Sequence, residues 1–326
     1  MPLALRIGSR PSALAMAQAE LIRGCLERIV SGLNAEIVPI STTGDRMHTG
    51  SLAQAGGKGL FIRELEQALS SGRIDIAVHS MKDLPAVLPA PYRIAAVPAR
   101  ENPRDALVTR TGEGWNSLAE SARLGTSSPR RRLEALRLRP DLTVTALRGN
   151  VDTRLKRLFA GDFDAIILAM AGLIRLGRRG STNFVELDEG DFVPAGGQGA
   201  LAIEALAASR ICASDELDDA VRTLNDVRAM AEVTAERSFL ATLGASCVSP
   251  VGVKGTVEGD LLHLRALLFS VDGNRSLADA IAAPQEINQA PGSEDHGAAS
   301  KAAAELGATL GRRMIAQGAS EMISGE

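Results

Sequence analysis

Strand-like and helix-like segments alternate along the first two hundred residues, and this alternation constrains the fold more than any other feature. The first predicted elements are the strand ALRIGS, the helix ALAMAQAELIRGCLERI, the strand AEIVPIS and the helix FIRELEQALSSG, which Gly72 ends. The buried strand IDIAVHS follows. Such alternation favours an α/β sheet with ligand-binding loops at the ends of its strands.

The alternation restarts after the Pro-bearing segment PARENPRDALV, which predicts a crossing into a second lobe. The predicted strands of this lobe are ARLGTS, TVTALRG and FDAIILAM, and its predicted helices are PRRRLEALRL and VDTRLKRLFAG. The segments RIDIAVHSM and DFDAIILAM echo each other, which fits either two similar lobes or a chance resemblance. A second crossing near FVPAGGQGA leads to ALAIEAL, a strand that can return to the first sheet. Two crossings between two lobes predict a hinged pair with a cleft.

The pattern changes from about residue 220 onward. The long helix AVRTLNDVRAMAEVTAERSFLATL precedes two antiparallel strands, VSPVGVKGTVEG and LLHLRALLFSVDG. APQEINQAPGSEDHG is predicted as a surface loop, and an Ala-rich helix covers the 298–318 region. We expect a first α/β lobe over 1–100 and 199–218, a second over 101–198 and an α+β domain over 219–326.

Composition narrows the classes of function. The net charge of −3 over 326 residues provides no broad positive field for nucleic acid, and 3% aromatic residues leave little for base stacking. No apolar run reaches the ~18 residues of a membrane-spanning helix, and the start MPLALRIGSR is unlike a signal peptide. The three widely spaced cysteines match neither a disulfide framework nor a metal site, so a reducing cytoplasm is expected.

Positive charge recurs where strands end and helices begin. These cations are Arg10, Lys58, Lys82, Arg130, Arg131, Arg132, Arg148, Arg154 and Arg175. Thr126, Ser127 and Ser128 precede Pro129, which suits the first position of a helix. Helix N-termini, hydroxyls and guanidinium groups together bind carboxylates and phosphates. The recurring placement favours anion binding, although any one of these arginines could be a solvated surface residue.

Other candidates have two interpretations each. Cys247 lies in the small-residue turn LGASCVSP and is either functional or an inert apolar residue, whereas Cys25 and Cys212 are interpreted as inert. Asp83, in HSMKDLP, is either catalytic or a turn cap, and His79 is interpreted as structural. GGKG and GGQG lack the spacing of a phosphate-binding loop.

Several long motifs together resemble the porphobilinogen deaminase family. They are ALRIGSRPSALA, GGKGLF, HSMKDLP, GTSSPRRR, LRGNVDTR, PAGGQGA and TAER…GASC, in that order over most of the chain. The resemblance implies two hinged lobes similar to periplasmic binding proteins plus a small C-terminal domain. It implies the condensation of four porphobilinogen molecules to linear hydroxymethylbilane with loss of ammonia. It also implies a monomer that needs no metal and passes its product to uroporphyrinogen-III synthase.

The family's motifs also imply roles for individual residues. A dipyrromethane cofactor is joined to Cys247 through a thioether, and its other binding residues are Ser80, Lys82, Thr126, Ser127, Ser128, Arg130, Arg131 and Arg148. Substrate or the growing chain is bound by Arg10, Ser12, Gln18, Lys58, Arg148, Arg154 and Arg175. Asp83 is the catalytic carboxylate, which stabilises cationic intermediates and helps to transfer protons.

Some positions depart from the family's pattern or carry a separate expectation. Pro129 replaces an aliphatic residue of several members, Gln54 replaces a Lys of some and Ser246 replaces a Gly of some. DRMHTGSLAQAGG, residues 45–57, is predicted to be a mobile lid over the cleft. The alternative function is a non-enzymatic two-lobed protein that binds a small polycarboxylate, but this leaves Cys247 unexplained.

Overall fold

The computed structural model describes residues 3–46, 62–180, 182–207, 211–246, 248–285 and 296–324. Within these ranges the strands are β1 (Ala4–Ser9), β2 (Asn34–Pro39), β3 (Ile76–Ser80), β4 (Tyr92–Ala96), β5 (Asp105–Thr109), β6 (Arg123–Gly125), β7 (Thr143–Thr145), β8 (Ala165–Ala169), β9 (Phe184–Glu186), β10 (Leu201–Leu206), β11 (Val251–Glu258), β12 (Leu261–Phe269) and β13 (Ser276–Pro284). The helices are α1 (Ala13–Ile29), α2 (Thr43–Arg46), α3 (Arg63–Ser70), α4 (Pro129–Leu138), α5 (Val151–Phe159), α6 (Met170–Arg175), α7 (Asp215–Thr223), α8 (Val227–Leu243), α9 (His296–Ala316) and α10 (Ala319–Ser324).

The strands form two mixed five-stranded sheets and one antiparallel sheet. The first sheet has the order β2-β1-β3-β10-β4, and the second has the order β7-β6-β8-β5-β9. In each, the first three strands are parallel and the fourth is antiparallel to the third. The third sheet has the order β11-β12-β13. The predicted fold class, two α/β lobes plus a small α+β domain, is confirmed. The predicted domain boundaries and the hinge stay predictions.

The echo between the two lobes corresponds to equivalent positions in the two sheets. Asp75 precedes β3 and accepts a hydrogen bond from the backbone N–H of Arg6, at 2.7 Å. Asp164 precedes β8 and accepts one from the backbone N–H of Arg123, at 2.8 Å. Each arginine side chain also forms an ion pair with its aspartate. The repeated Asp therefore joins neighbouring parallel strands in the same way in both lobes.

Each unit has an apolar core that its helices cover. In the first lobe Ile22 and Leu26 of α1 pack on Leu5 and Ile7 of β1, all fully buried. In the third unit Phe239 of α8 packs in the core between its sheet and α9. Burial of each such side chain stabilises the fold by about 1.5–3 kcal/mol. The described helices include none that is both long and apolar enough to cross a membrane.

Several local predictions differ from the structure. The predicted helix from residue 220 to 243 is broken, because Asp226 caps the start of α8 and Asn225 accepts a hydrogen bond from the backbone N–H of Val97. The strands β4, β5, β9 and β13 are absent from the prediction, and in β13 the alternating burial is carried mainly by alanines, which favour no strand. In contrast, ALAIEAL returns to the first sheet as β10, as predicted.

Candidate active site

A cleft lies where β1 and β3 end in the first lobe. It encloses about 400 Å³, part of it open to solvent, and its polar lining includes Arg10, Ser12, Gln18, Ser80 and Asp83. β1 and β3 are parallel neighbours, so their carboxyl ends meet at one edge of the sheet. The structure thus brings together five residues that the sequence placed in the site.

Local contacts hold several of these side chains. Ser12 caps α1 through its hydroxyl, which accepts a hydrogen bond from the N–H of Ala15. The amide of Gln18, which is 3% exposed, donates to the hydroxyl of Ser80 at 2.9 Å. Arg10 forms an ion pair with Asp45, with 2.5 Å between Nη2 and Oδ1.

Lys82 and Asp83 lie on a single 3-10 turn directly after β3. The backbone N–H of Met81 donates to the carbonyl of Ala200 at 3.0 Å, which anchors this turn to the second crossing. Lys82 is half-buried and Asp83 is exposed. Burial, together with the nearby charge of Arg131, lowers the pKa of Lys82 to about 8. The turn therefore presents an ammonium group with a lowered pKa beside an accessible carboxylate.

The second lobe contributes the hydroxyl-rich segment at the start of α4. Ser128 caps α4 by accepting from the N–H of Arg131, and Pro129 takes the first helical position as predicted. Ser127 donates from its hydroxyl to the carbonyl of Leu147 at 2.9 Å, and Thr126 accepts from the N–H of Ser128 at 3.2 Å. These three hydrogen bonds hold the segment against the start of α4 and the carbonyl of Leu147.

Arg130 and Arg131 share the carboxylate of Asp105 inside the second lobe. Arg130 Nη2 lies 2.8 Å from Oδ2, and Arg131 Nη2 lies 2.6 Å from Oδ1. Arg130 is 3% exposed and also donates to Glu134, at 2.7 Å, and to the carbonyl of Val193. Arg130 thus holds the carboxylate of Asp105 in position for its ion pair with Arg131. The contact of Arg130 with the cofactor stays a prediction.

Arg154 and Arg175 complete the group of cations. Burial and the charge of Arg131 lower the pKa of Arg154 to about 10, and Asp83 opposes this shift. Burial lowers the pKa of Arg175 to about 10 as well. Arg175 donates to the carbonyl of Gly199 at 2.6 Å, and Arg148 is exposed. The charges of Asp83 in the first lobe and Arg131 in the second both affect the pKa of Arg154. Residues of the two lobes therefore lie close together at this site.

The charge balance of this site fits a ligand with several carboxylates. Burial outweighs the neighbouring carboxylates at Lys82, Arg154 and Arg175, so each pKa is lowered. Charge-assisted hydrogen bonds to a bound polyanion would offset the free-energy penalty of burying these three positive charges. The donors present therefore fit the acetate and propionate groups of a dipyrromethane. Among the described residues, no group of three or more His, Cys, Asp or Glu side chains could hold a metal ion.

Some predictions lie outside the described residues: Lys58, Gln54 and Cys247, most of the lid over 45–57, and most of the surface loop APQEINQAPGSEDHG. The chain on either side of Cys247 is described. α8 ends at Gly244, whose φ of +65° is left-handed, and the N–H of Ser246 donates to the hydroxyl of Ser249 at 3.0 Å. In sequence, position 247 lies between α8 and β11.

The other cysteines and His79 have partners outside the group of site cations, although His79 also lines the cleft. Cys25 is half-buried in α1. Cys212 is exposed rather than buried, and desolvation of its thiol together with Asp75 raises its pKa to about 12. A high pKa disfavours the reactive thiolate. His79 is buried and lies 2.8 Å from Glu204, which agrees with a structural role.

Sequence reasoning did not identify Gln198 as part of the site. It belongs to GGQG, which lacks the spacing of a phosphate-binding loop, yet its amide contacts Lys82, Arg131 and Asp105. The signals in the sequence are its place in the family motif PAGGQGA and its position at the second crossing between the lobes. Its partners are distant in sequence, so no local pattern could reveal them.

Fold and site together define a two-lobed α/β protein in which both lobes contribute cations, beside an exposed carboxylate, to one site that fits a polycarboxylate ligand. The family model described as "Porphobilinogen deaminase, dipyromethane cofactor binding domain" matches residues 5–213. The model of the porphobilinogen deaminase C-terminal domain matches residues 230–316. The chain belongs to the porphobilinogen deaminase family.

Relatives from several bacteria agree with this assignment. The porphobilinogen deaminase of Geobacter metallireducens is 40% identical over 99% of this chain and 95% of its own. That of Syntrophobacter fumaroxidans is 44% identical over 82% of this chain and 85% of its own. Among solved structures, the ligand-binding component of an ABC-type import system from Staphylococcus aureus overlaps 74% of this chain and 78% of its own. It does so with 13% identity and a TM-score of 0.41, so the fold class rests on the sheets described above.

Proposed function

We propose that this chain is a hydroxymethylbilane synthase whose cleft holds a dipyrromethane cofactor between Lys82 and Arg131. The chain's membership of the porphobilinogen deaminase family and its match to the cofactor-binding domain support this function. The observation that carries the proposal is the convergence of Lys82, Asp83, Arg131 and Arg154 from two lobes on one site. The cofactor, when bound, supplies the pyrrole carbon on which the chain of substrate units grows.

The cations are proposed to bind and orient carboxylates. Arg131 is held by Asp105 and Lys82 by Gln198, so each donor is positioned before the ligand arrives. Charge-assisted hydrogen bonds contribute about 1.5–3 kcal/mol each, and less where the groups are exposed. Four porphobilinogen units carry an acetate and a propionate each, and Arg10, Arg154 and Arg175 are proposed to bind those of the substrate and growing chain.

Asp83 is proposed to act in catalysis. Its backbone is fixed by the 3-10 turn, while its carboxylate is exposed and lines the cleft. An ionised carboxylate in this position stabilises positive charge that develops on a pyrrole and can take up or return a pyrrole N–H proton. Loss of ammonia from each substrate requires such charge stabilisation.

Cys247 is proposed as the attachment point through a thioether. Intact mass spectrometry of the purified protein should show an adduct equal to two condensed pyrroles. Cys247→Ala should remove the adduct, whereas the matched variants Cys25→Ala and Cys212→Ala should retain it. A wild-type protein that binds porphobilinogen without an adduct and releases no ammonia would instead support the non-enzymatic binding protein.

The cellular context is part of the same proposal. A monomer in the cytoplasm that delivers hydroxymethylbilane to uroporphyrinogen-III synthase is what the family resemblance implies. No contact with nucleic acid or a membrane is proposed, because the charge of −3 and the low aromatic content favour neither.

A further inference from the structure

Gln198 occupies the junction between the two lobes and is only 1% exposed. It follows Gly197, whose φ of +77° turns the chain at the second crossing. Its side-chain Nε2 donates to the carbonyl of Pro103 at 2.7 Å and to Asp105 Oδ1 at 2.9 Å. Its Oε1 accepts from Lys82 Nζ at 3.1 Å and from Arg131 Nη2 at 3.4 Å.

These partners permit only one orientation of the amide. The three groups that face Nε2 are acceptors, namely the carbonyls of Pro103 and Arg104 and the carboxylate of Asp105. Both groups that face Oε1 are cations, Lys82 and Arg131. A flipped amide would place its oxygen against three acceptors and its NH₂ group against two donors. The oxygen of Gln198 is therefore held towards the cations.

The neutral oxygen has a specific electrostatic consequence. It accepts a hydrogen bond from the ammonium group of Lys82 and so favours the charged form, but it adds no negative charge to the site. The carboxylate of Asp105 is already shared by Arg130 and Arg131. Lys82 thus keeps its positive charge available for an incoming carboxylate.

We propose that Gln198 is a positioning residue that holds the ammonium group of Lys82 beside Arg131 and keeps it protonated for binding of the cofactor's carboxylates. The amide also ties Lys82 of the first lobe to Asp105 and Arg131 of the second. The consequence for the cofactor rests on the proposed function, but the effect on Lys82 does not.

The test measures the titration of Lys82 in full-length protein that carries Cys247→Ala, so that no adduct covers the lysine. Trace acetylation with acetic anhydride over a pH series gives the titration midpoint by mass spectrometry, with Lys156 as the internal reference. Gln198→Met removes the acceptor and should lower the midpoint of Lys82. Gln198→Glu adds a carboxylate among the cations and should raise it by about one pH unit or more.

Gln18→Met is the matched control, since Gln18 is an equally buried amide that contacts Ser80 rather than Lys82. It should leave the midpoint of Lys82 unchanged. Opposite shifts in the two Gln198 variants support the proposal. Shifts in the same direction, or no shift in either variant, would overturn it, because a merely structural role does not depend on the sign of the added charge. An adduct on wild-type Cys247 tests the proposed function separately.

Discussion

Arg100 and Glu236 form a buried ion pair at two points, with Nη1 2.7 Å from Oε1 and Nη2 3.1 Å from Oε2. The same carboxylate accepts hydrogen bonds from the N–H groups of Gly197, at 2.6 Å, and Gly255, at 2.7 Å. Arg100 precedes the first crossing, Gly197 belongs to the second, and Glu236 and Gly255 belong to the third unit. One carboxylate therefore joins both crossings to the C-terminal unit.

Removal of this charge should destabilise the whole assembly. Glu236→Gln leaves the buried Arg100 without its closest partner, and breaking a buried pair costs about 3–5 kcal/mol. The matched variant is Glu232→Gln, because Glu232 also contacts Arg100 but is more exposed. Urea denaturation should show a clearly larger loss for Glu236→Gln. Equal losses of unfolding free energy would mean that the two carboxylates contribute equally to stability.

The two arginines Arg131 and Arg175 should differ in the step that they support. Arg131 lies beside Lys82, so Arg131→Leu should yield protein without the adduct. Arg175 contacts the carbonyl of Gly199 instead, so Arg175→Leu should retain the adduct and accumulate partly extended chains. Intact mass before and after addition of porphobilinogen distinguishes these outcomes. Equal loss of adduct in both variants would refute the division.

The elements that were predicted well have local causes. The bounds of α1 were predicted from its apolar periodicity, and Ser12 caps its first turn. The bounds of α4 were predicted from Pro129 and the apolar stripe that follows it. The break before α8 depends on contacts between Asn225 and the distant Val97, which no local pattern contains.

The site residues also divide into those with a local sequence signal and those that depend on distant contacts. Lys82 and Asp83 were placed correctly at the end of a strand, because the unusual motif HSMKDLP follows a clear apolar run. The burial of Arg130 follows from Asp105, which is 25 residues away in sequence. The role of Gln198 follows from partners in both lobes. Side-chain partners of this kind arise only once the lobes pack together.

The lowered pKa of Lys82 predicts a stability that depends on pH. The folded-state pKa is about 8, below the ordinary value of 10.5, so between these values the unfolded chain binds more protons at this residue. The contribution of Lys82 to stability therefore rises with pH across that window, and its charge is destabilising below pH 8. In protein with Cys247→Ala, Lys82→Met should raise the melting temperature at pH 7, by an amount that corresponds to about 1–2 kcal/mol. This advantage should vanish by about pH 10.5, and an advantage independent of pH would contradict the assignment.

The carboxylate of Asp83 should contribute to chemistry rather than to stability. Asp83→Asn keeps the side-chain volume but removes the charge, so turnover should fall by about 10²–10³-fold or more. Asp83 is exposed, so the change in stability should stay within about 0.5 kcal/mol. Asp83→Glu should retain some activity because it keeps the charge. The measurement is ammonia release per folded enzyme. Near-normal release by the Asn variant would show that Asp83 only caps the turn and has no catalytic role.

A side chain at Gly199 should destabilise the protein more than one at another left-handed glycine, because the two crossings touch at this residue. Its φ is +89°, and a Cβ there would lie 2.2 Å from the carbonyl oxygen of Glu101. Gly161 is the matched control, since its φ is +87° but a Cβ there would meet nothing within 4 Å. Gly161→Ala should cost only the backbone strain of about 1–2 kcal/mol. Gly199→Ala should cost about 1–3 kcal/mol more, because the crossings must move apart.

The same substitution should also affect elongation. The carbonyl of Gly199 accepts the hydrogen bond from Arg175, at 2.6 Å, so a displaced crossing displaces this arginine. Gly199→Ala should therefore retain the adduct and accumulate partly extended chains, as Arg175→Leu does, whereas Gly161→Ala should complete the product normally. Urea denaturation and intact mass after addition of porphobilinogen measure the two effects. If both glycine variants lose the same stability and turn over alike, the close approach at Gly199 has no functional consequence.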